Sequence, residues 1–131
     1  MGDMWIVKRK CFINNYYEYE VPLELSKEED GINDALNIWK DENYINLLLS
    51  ALTDLKLERN NSQHPISEIY EKYDIENLLN PDAKLKIKGN PSLGYIKGIE
   101  IGLRKLTDLN SCVDVEVWIN ELRLNGLDES G

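Results

Sequence analysis

The chain has 131 residues, 42% of them hydrophobic and 30% charged, with 15 Lys and Arg against 24 Asp and Glu for a net charge of −9. That length supports one core, since a domain takes about 100–200 residues, and the charge argues against a nucleic-acid surface, where a basic stripe is expected. A single histidine, His64, and two cysteines, Cys11 and Cys112, exclude multi-imidazole zinc centres, two-histidine iron sites and a disulfide framework, although one bridge is allowed.

Met1-Gly2-Asp3-Met4 carries no basic region followed by an apolar stretch, so no signal peptide is read at this end. No apolar run approaches the ~20 residues of a membrane helix. The densest, Ile45 to Leu52, is broken by Asn46 and Ser50.

The first predicted element is a hairpin over residues 5–25. From Asn15 to Leu25 the residues alternate, with Tyr17, Tyr19, Val21, Leu23 and Leu25 on one face and Tyr16, Glu18, Glu20, Pro22 and Glu24 on the other. Trp5 to Phe12 also reads as extended. A three-residue turn over Ile13, Asn14 and Asn15 sets Phe12 opposite Tyr16, because Asn tolerates a left-handed backbone. Cys11 then faces Tyr17, Val7 faces Val21 and Trp5 faces Leu23 on the core side. Lys10 meets Glu18 and Lys8 meets Glu20 on the solvent side.

Residues 28–42 form an acidic connection, and a helical insert is predicted over 43–75. Ile45, Leu48, Leu49, Leu52 and Leu55 share one face of a helix running to about Arg59, with Asp41 or Asn43 as its cap. After the polar loop 60–63, Pro65 opens a second, shorter helix with Ile66, Ile69, Tyr70 and Tyr73 at helical spacing.

Residues 84–124 return to period two. Leu85 and Ile87 alternate with Lys84, Lys86 and Lys88, then Gly89-Asn90-Pro91-Ser92 turns the chain into Lys97, Ile99, Ile101 and Leu103. A last strand sets Val113, Val115, Val117 and Ile119 against Asp114, Glu116, Trp118 and Asn120, with a bulge near Asn120-Glu121 restoring its phase. Gly98 and Gly102 leave bare backbone that the Trp118 ring is expected to cover. The sum is an α+β module, 1–131: an antiparallel sheet or thin jelly-roll-like β-sandwich of about five strands with two inserted α-helices. Either the helices cover one face or the module borrows strands from a longer chain.

Several segments, in this order, resemble one family: Asn15 to Leu23 (NYYEYEVPL), Leu52 to Asn60 (LTDLKLERN), Ile69 to Asp74 (IYEKYD), Ile87 to Leu93 (IKGNPSL), Ile99 to Arg104 (IEIGLR) and Val117 to Leu124 (VWINELRL), followed by Asp128-Glu129. The family is SprA, also called Sov, and the resemblance covers roughly residues 15–131. It implies a piece of the outer-membrane translocon of the type 9 secretion system, which also serves gliding motility and is a single-chain barrel of about 36 strands. Within it, this segment is expected to be a soluble, non-catalytic module outside the membrane band, on the periplasmic or extracellular side. The implied partners are other parts of the same chain, an accessory outer-membrane barrel, a plug protein and secreted clients. Short strands with charged faces support the same view, since lipid-facing hairpins need ~9–11-residue strands and aromatic girdles.

No catalytic, cofactor-binding or metal-binding residue is assigned. The Lys84-Lys86-Lys88 stripe suits an anionic ligand, yet a solvated strand face balancing Glu18, Glu20 and Glu24 explains it more simply. His64 has no patterned nucleophile and reads as a loop histidine. Asp108, Asn110, Asp114 and Glu116 supply oxygen donors for calcium without the spacing of a calcium loop. Asn60-Asn61-Ser62 matches a short glycosylation sequon, and 24 acids always offer some glycosidase-like pair on paper. Trp39, Tyr44 and Trp118 fit either core packing, the plainer reading, or the stacking platform of a carbohydrate-binding β-sandwich module of a cell-surface protein, the alternative function. Exposure of these rings beside a groove separates the two.

Overall fold

The computed structural model describes residues 4–7, 14–27, 39–104 and 116–124, with side chains from residue 14 onward. Its regular elements are β1 (Met4–Val7), β2 (Tyr16–Pro22), a 3-10 turn (Asp41–Asn43), α1 (Leu49–Asn61), β3 (Tyr70–Tyr73), β4 (Lys84–Lys88) and β5 (Ile101–Arg104). The strands lie in one antiparallel sheet in the order β3-β4-β2-β1-β5, so the class is α+β. Among the described residues there is one α-helix, and no second sheet stacks on the first.

The period-two residues of β2 and β4 make the core. Tyr19 and Val21 from β2, Leu85 and Ile87 from β4, Ala83 before it, and Leu52 and Leu55 from α1 form one buried cluster. Tyr17, Ile45, Leu47, Ala51, Tyr70 and Leu93 pack around it. Leu52 and Leu55 stand three residues apart on one helix face, and Arg59 follows on the same face at the next turn.

Five expectations are corrected here. The hairpin register is slid by two residues: Trp5 lies opposite Val21 and Val7 opposite Tyr19, instead of Leu23 and Val21. Side-chain alternation fixes register only in steps of two, so a two-residue slide keeps every face and leaves the choice to the turn. The turn, with Lys8, Lys10, Cys11 and Phe12, lies outside the described residues.

The second predicted helix is instead a turn, in which the Glu68 N–H donates to the Pro65 carbonyl, followed by the strand β3. Tyr70 and Tyr73, three residues apart, suit one helix face but fall on opposite faces of a strand, one half-buried and one exposed, and pairing with β4 decides. Glu71 lies opposite Lys86 and Tyr70 opposite Ile87, matching charge with charge and apolar with apolar.

The first helix starts at Leu49, and neither Asp41 nor Asn43 caps it. Asn43 turns back to β2 instead: its Nδ2 donates to the Glu24 carbonyl and its Oδ1 accepts the Glu24 N–H, both at 2.7 Å.

Finally, residues 116–124 carry no strand, and the bulge at Asn120-Glu121 therefore has no strand to sit in. Trp118, Ile119, Leu122 and Leu124 are exposed, and alternation without a partner strand gives no ladder. A Cβ placed on Gly102 meets nothing within 4 Å, so no ring among the described residues covers it. Trp118 is 65% exposed and donates its indole N–H to Glu116 Oε1 at 2.6 Å.

Candidate functional site

Three arrangements gather the polar side chains. The first is the sheet face opposite the helix. Glu18 lies opposite Lys86 and Glu20 opposite Lys84 across β2 and β4, and Glu71 flanks Lys86 from β3. The Lys86 ammonium sits 3.0 Å from Glu20, 3.6 Å from Glu71 and 3.9 Å from Glu18, and the Arg104 guanidinium from β5 pairs with Glu20. The expected charge balance is present, but the face is not solvated: Glu18, Glu20 and Lys86 are all buried, Glu20 to 1% exposure. Alternation assigned them to water because they are charged. Mutual pairing is what permits their burial. An open hollow of about 490 Å3 lies over this face, lined by Glu20, Glu71, Tyr73, Lys84, Lys86 and Arg104, among others. Lys88 stands at the end of the stripe opposite Tyr16.

The second arrangement clasps the turn after β4. Gly89 takes φ +73°, and a Cβ there collides with the Asn14 carbonyl and Asn15 Oδ1. Asn15 Oδ1 accepts the Asn90 N–H at 2.8 Å, and the Gly89 N–H donates to the Ile66 carbonyl at 2.7 Å. From α1, Arg59 Nη1 donates to the Gly89 carbonyl at 2.5 Å and Lys56 Nζ to the Pro91 carbonyl at 2.7 Å. Arg59 is 1% exposed and also donates to Asn60 Oδ1. Arg59 was not singled out from the sequence. Its signal is a cation one turn beyond Leu55 on the apolar helix face, where a charge stays only if backbone oxygens receive it.

The third arrangement is a groove of about 370 Å3 between the segment entering α1 and the β3–β4 loop. Tyr44, Leu48, Leu78 and Leu79 supply its apolar walls, and Asp74 and Glu76 its charge. Tyr19 braces it from the core: its hydroxyl donates to Asp74 Oδ2 at 2.8 Å and accepts from Asn77 Nδ2 at 2.9 Å. Asn77 Oδ1 accepts the Asn80 N–H, and Asn80 Nδ2 donates to the Pro22 carbonyl at 2.8 Å. Desolvation, and next the hydrogen bond to Asp74, push the Tyr19 hydroxyl far above its ordinary pKa of 10.0.

The sequence-selected residues divide among these places. Tyr44 is 57% exposed and lines the groove, whereas Trp39 and Trp118 are exposed away from its walls, so none of the three is core. The core space is already filled by Tyr19 and the aliphatic residues of β2, β4 and α1. His64 Nδ1 lies 3.1 Å from the Pro65 carbonyl, and its ring stands edge-on to Tyr70 at 5.3 Å. Asn60 and Asn61 of the sequon lie in the last turn of α1. Asp108, Asn110, Asp114, Cys11 and Cys112 lie outside the described residues, and Glu116 is exposed. Among the described residues no three His, Cys, Asp or Glu side chains converge as a metal would require, and no helix is long and apolar enough to cross a membrane.

A family model described as "Motility related/secretion protein", SprA_N, matches residues 6–131. No curated protein and no solved structure matches the chain.

Proposed function

The chain belongs to the SprA_N family of motility-related and secretion proteins, and from this premise we propose that it is a non-catalytic structural and interaction module of a SprA-like type 9 translocon. The observation that carries the reading is apolar surface left open at the end of the described chain. Trp118, Ile119, Leu122 and Leu124 are all exposed, as are Ile96 and Ile99 before β5. Isolated apolar residues on a surface need no explanation, but a run of them in one segment marks contact with another chain or another part of the same chain. Among the described residues β3 and β5 form the two margins of the sheet, where further strands add most readily.

In this reading the module lies on the periplasmic or extracellular side of the outer membrane, outside the barrel's membrane band. It packs against the rest of the translocon, and its partners are the accessory barrel, the plug protein and the secreted clients. The test is in-frame removal of the segment from the full-length protein, with the amount of assembled protein in the outer membrane measured alongside. Loss of client export and gliding at normal assembly is expected; undiminished export overturns the proposal.

A second reading, carbohydrate binding, is favoured by one observation: Tyr44 is exposed beside a groove that also presents Asn46, Asn77 and Asp74. The opposite wall is aliphatic, formed by Leu78 and Leu79, which suits a sugar less well than a second ring or a row of amides.

A further inference from the structure

We propose that the groove beneath Tyr44 is a docking site for a peptide segment that carries both aliphatic and basic side chains. This rests on reading the chain as an interaction module, and it names the surface and the chemistry of the partner. The apolar walls are large and open: Leu78 is 91% exposed, Leu48 60%, Tyr44 57% and Leu79 54%. They meet in one concavity of about 370 Å3. Its charged lining is Asp74 and Glu76, with no Lys or Arg among the lining residues, in a chain whose net charge is −9. A ligand that fills the hollow with aliphatic groups and brings cations to that wall matches both features.

The groove is also held in shape before any ligand arrives. The loop that carries Glu76, Leu78 and Leu79 is tied to β2 through Tyr19–Asp74, Asn77–Tyr19 and Asn80–Pro22. The Ala83 N–H donates to the Asn80 carbonyl and the Asp74 N–H to the Ala83 carbonyl, closing the loop at its base. The facing segment is tied to Glu24 through both ends of the Asn43 amide, one residue before Tyr44. A wall fixed in this way loses little freedom on binding.

The experiment uses the whole chain and three fluorescein-labelled decapeptides, of alternating Leu-Lys, Ser-Lys and Leu-Glu, with anisotropy as the readout and cellohexaose as competitor. Saturable binding of the Leu-Lys peptide is expected, weakened about tenfold or more by Glu76→Lys and by Leu78→Ser, which alter exposed side chains and leave the core intact. Ser-Lys and Leu-Glu peptides are expected to bind at least about tenfold more weakly. Equal binding of Ser-Lys, which is attraction to net charge alone, overturns the proposal. So do unchanged affinity in both variants, absence of Leu-Lys binding, and displacement of the peptide by cellohexaose, which makes the groove a sugar site. Any of these results leaves the module reading standing, because that reading is decided by export in the full-length protein.

Discussion

At the scale of single residues, Tyr19 joins the two halves of the molecule. Its ring fills the apolar layer under α1, and its hydroxyl fixes the loop after β3 through Asp74 and Asn77. Tyr19→Phe keeps the ring and strands both loop partners, so a loss of about 1.5–3 kcal/mol is expected in urea unfolding. The pH dependence has a definite sign. Tyr16, Tyr17 and Tyr19 all have hydroxyl pKa values raised, chiefly by desolvation, so above pH 10.0 the unfolded chain gives up these protons before the folded one does. The folded state then holds more protons, and stability falls as pH rises from about 10. Unfolding curves between pH 8 and pH 11 should show that fall, and Tyr19→Phe should make it shallower. Gly89 is the other critical residue. A side chain there meets both a left-handed backbone and the Asn14 carbonyl, so Gly89→Ala is expected to cost roughly 2–4 kcal/mol.

At the scale of elements, the β2–β4 pair carries apolar packing on one face and an ionic row on the other. Lys86→Met leaves buried Glu18 without its cation and buried Glu20 with Arg104 alone, and a loss of about 3–5 kcal/mol is expected. Adding Glu18→Gln and Glu20→Gln should restore most of it, and equilibrium denaturation of the single and triple variants checks both statements. The Lys72–Glu58 pair, at 2.8 Å but open to water, makes the contrast: Lys72→Met should cost under about 1 kcal/mol. Alternation made β2 and β4 legible, together with the balance of the Lys84-Lys86-Lys88 stripe against Glu18 and Glu20, because cross-strand chemistry follows from it, while the individual partner of Glu18, Lys86, came from the register. It could not tell that the charged face is buried, since burial there depends on Arg104 and Glu71 arriving from distant strands. β3 was illegible for a different reason: Tyr70 and Tyr73 at a spacing of three read as one helix face, and only pairing with β4 makes the segment a strand that turns them to opposite faces. The aromatic residues were legible as candidates but not as exposed ones, because Trp39, Tyr44 and Trp118 lie outside any periodic element.

At the scale of the whole molecule, the chain keeps a compact apolar centre between β2, β4 and α1 and leaves its later segments open. Trp118→Ser with Leu122→Ser is therefore expected to change the stability of the isolated chain by less than about 0.5 kcal/mol, since both side chains face solvent. In the full-length protein the same pair should impair client export or gliding, and normal export at normal protein levels counts against a contact role for this segment.

The Asn43 amide has a consequence of its own. By binding both the N–H and the carbonyl of Glu24, it imitates one rung of a ladder without a strand, and it does so downstream of the connection between residues 27 and 39. The backbone just before Tyr44 is thereby anchored directly to Glu24, beyond the end of β2. Asn43→Ala alone should therefore let the ring drift from its place beside the groove.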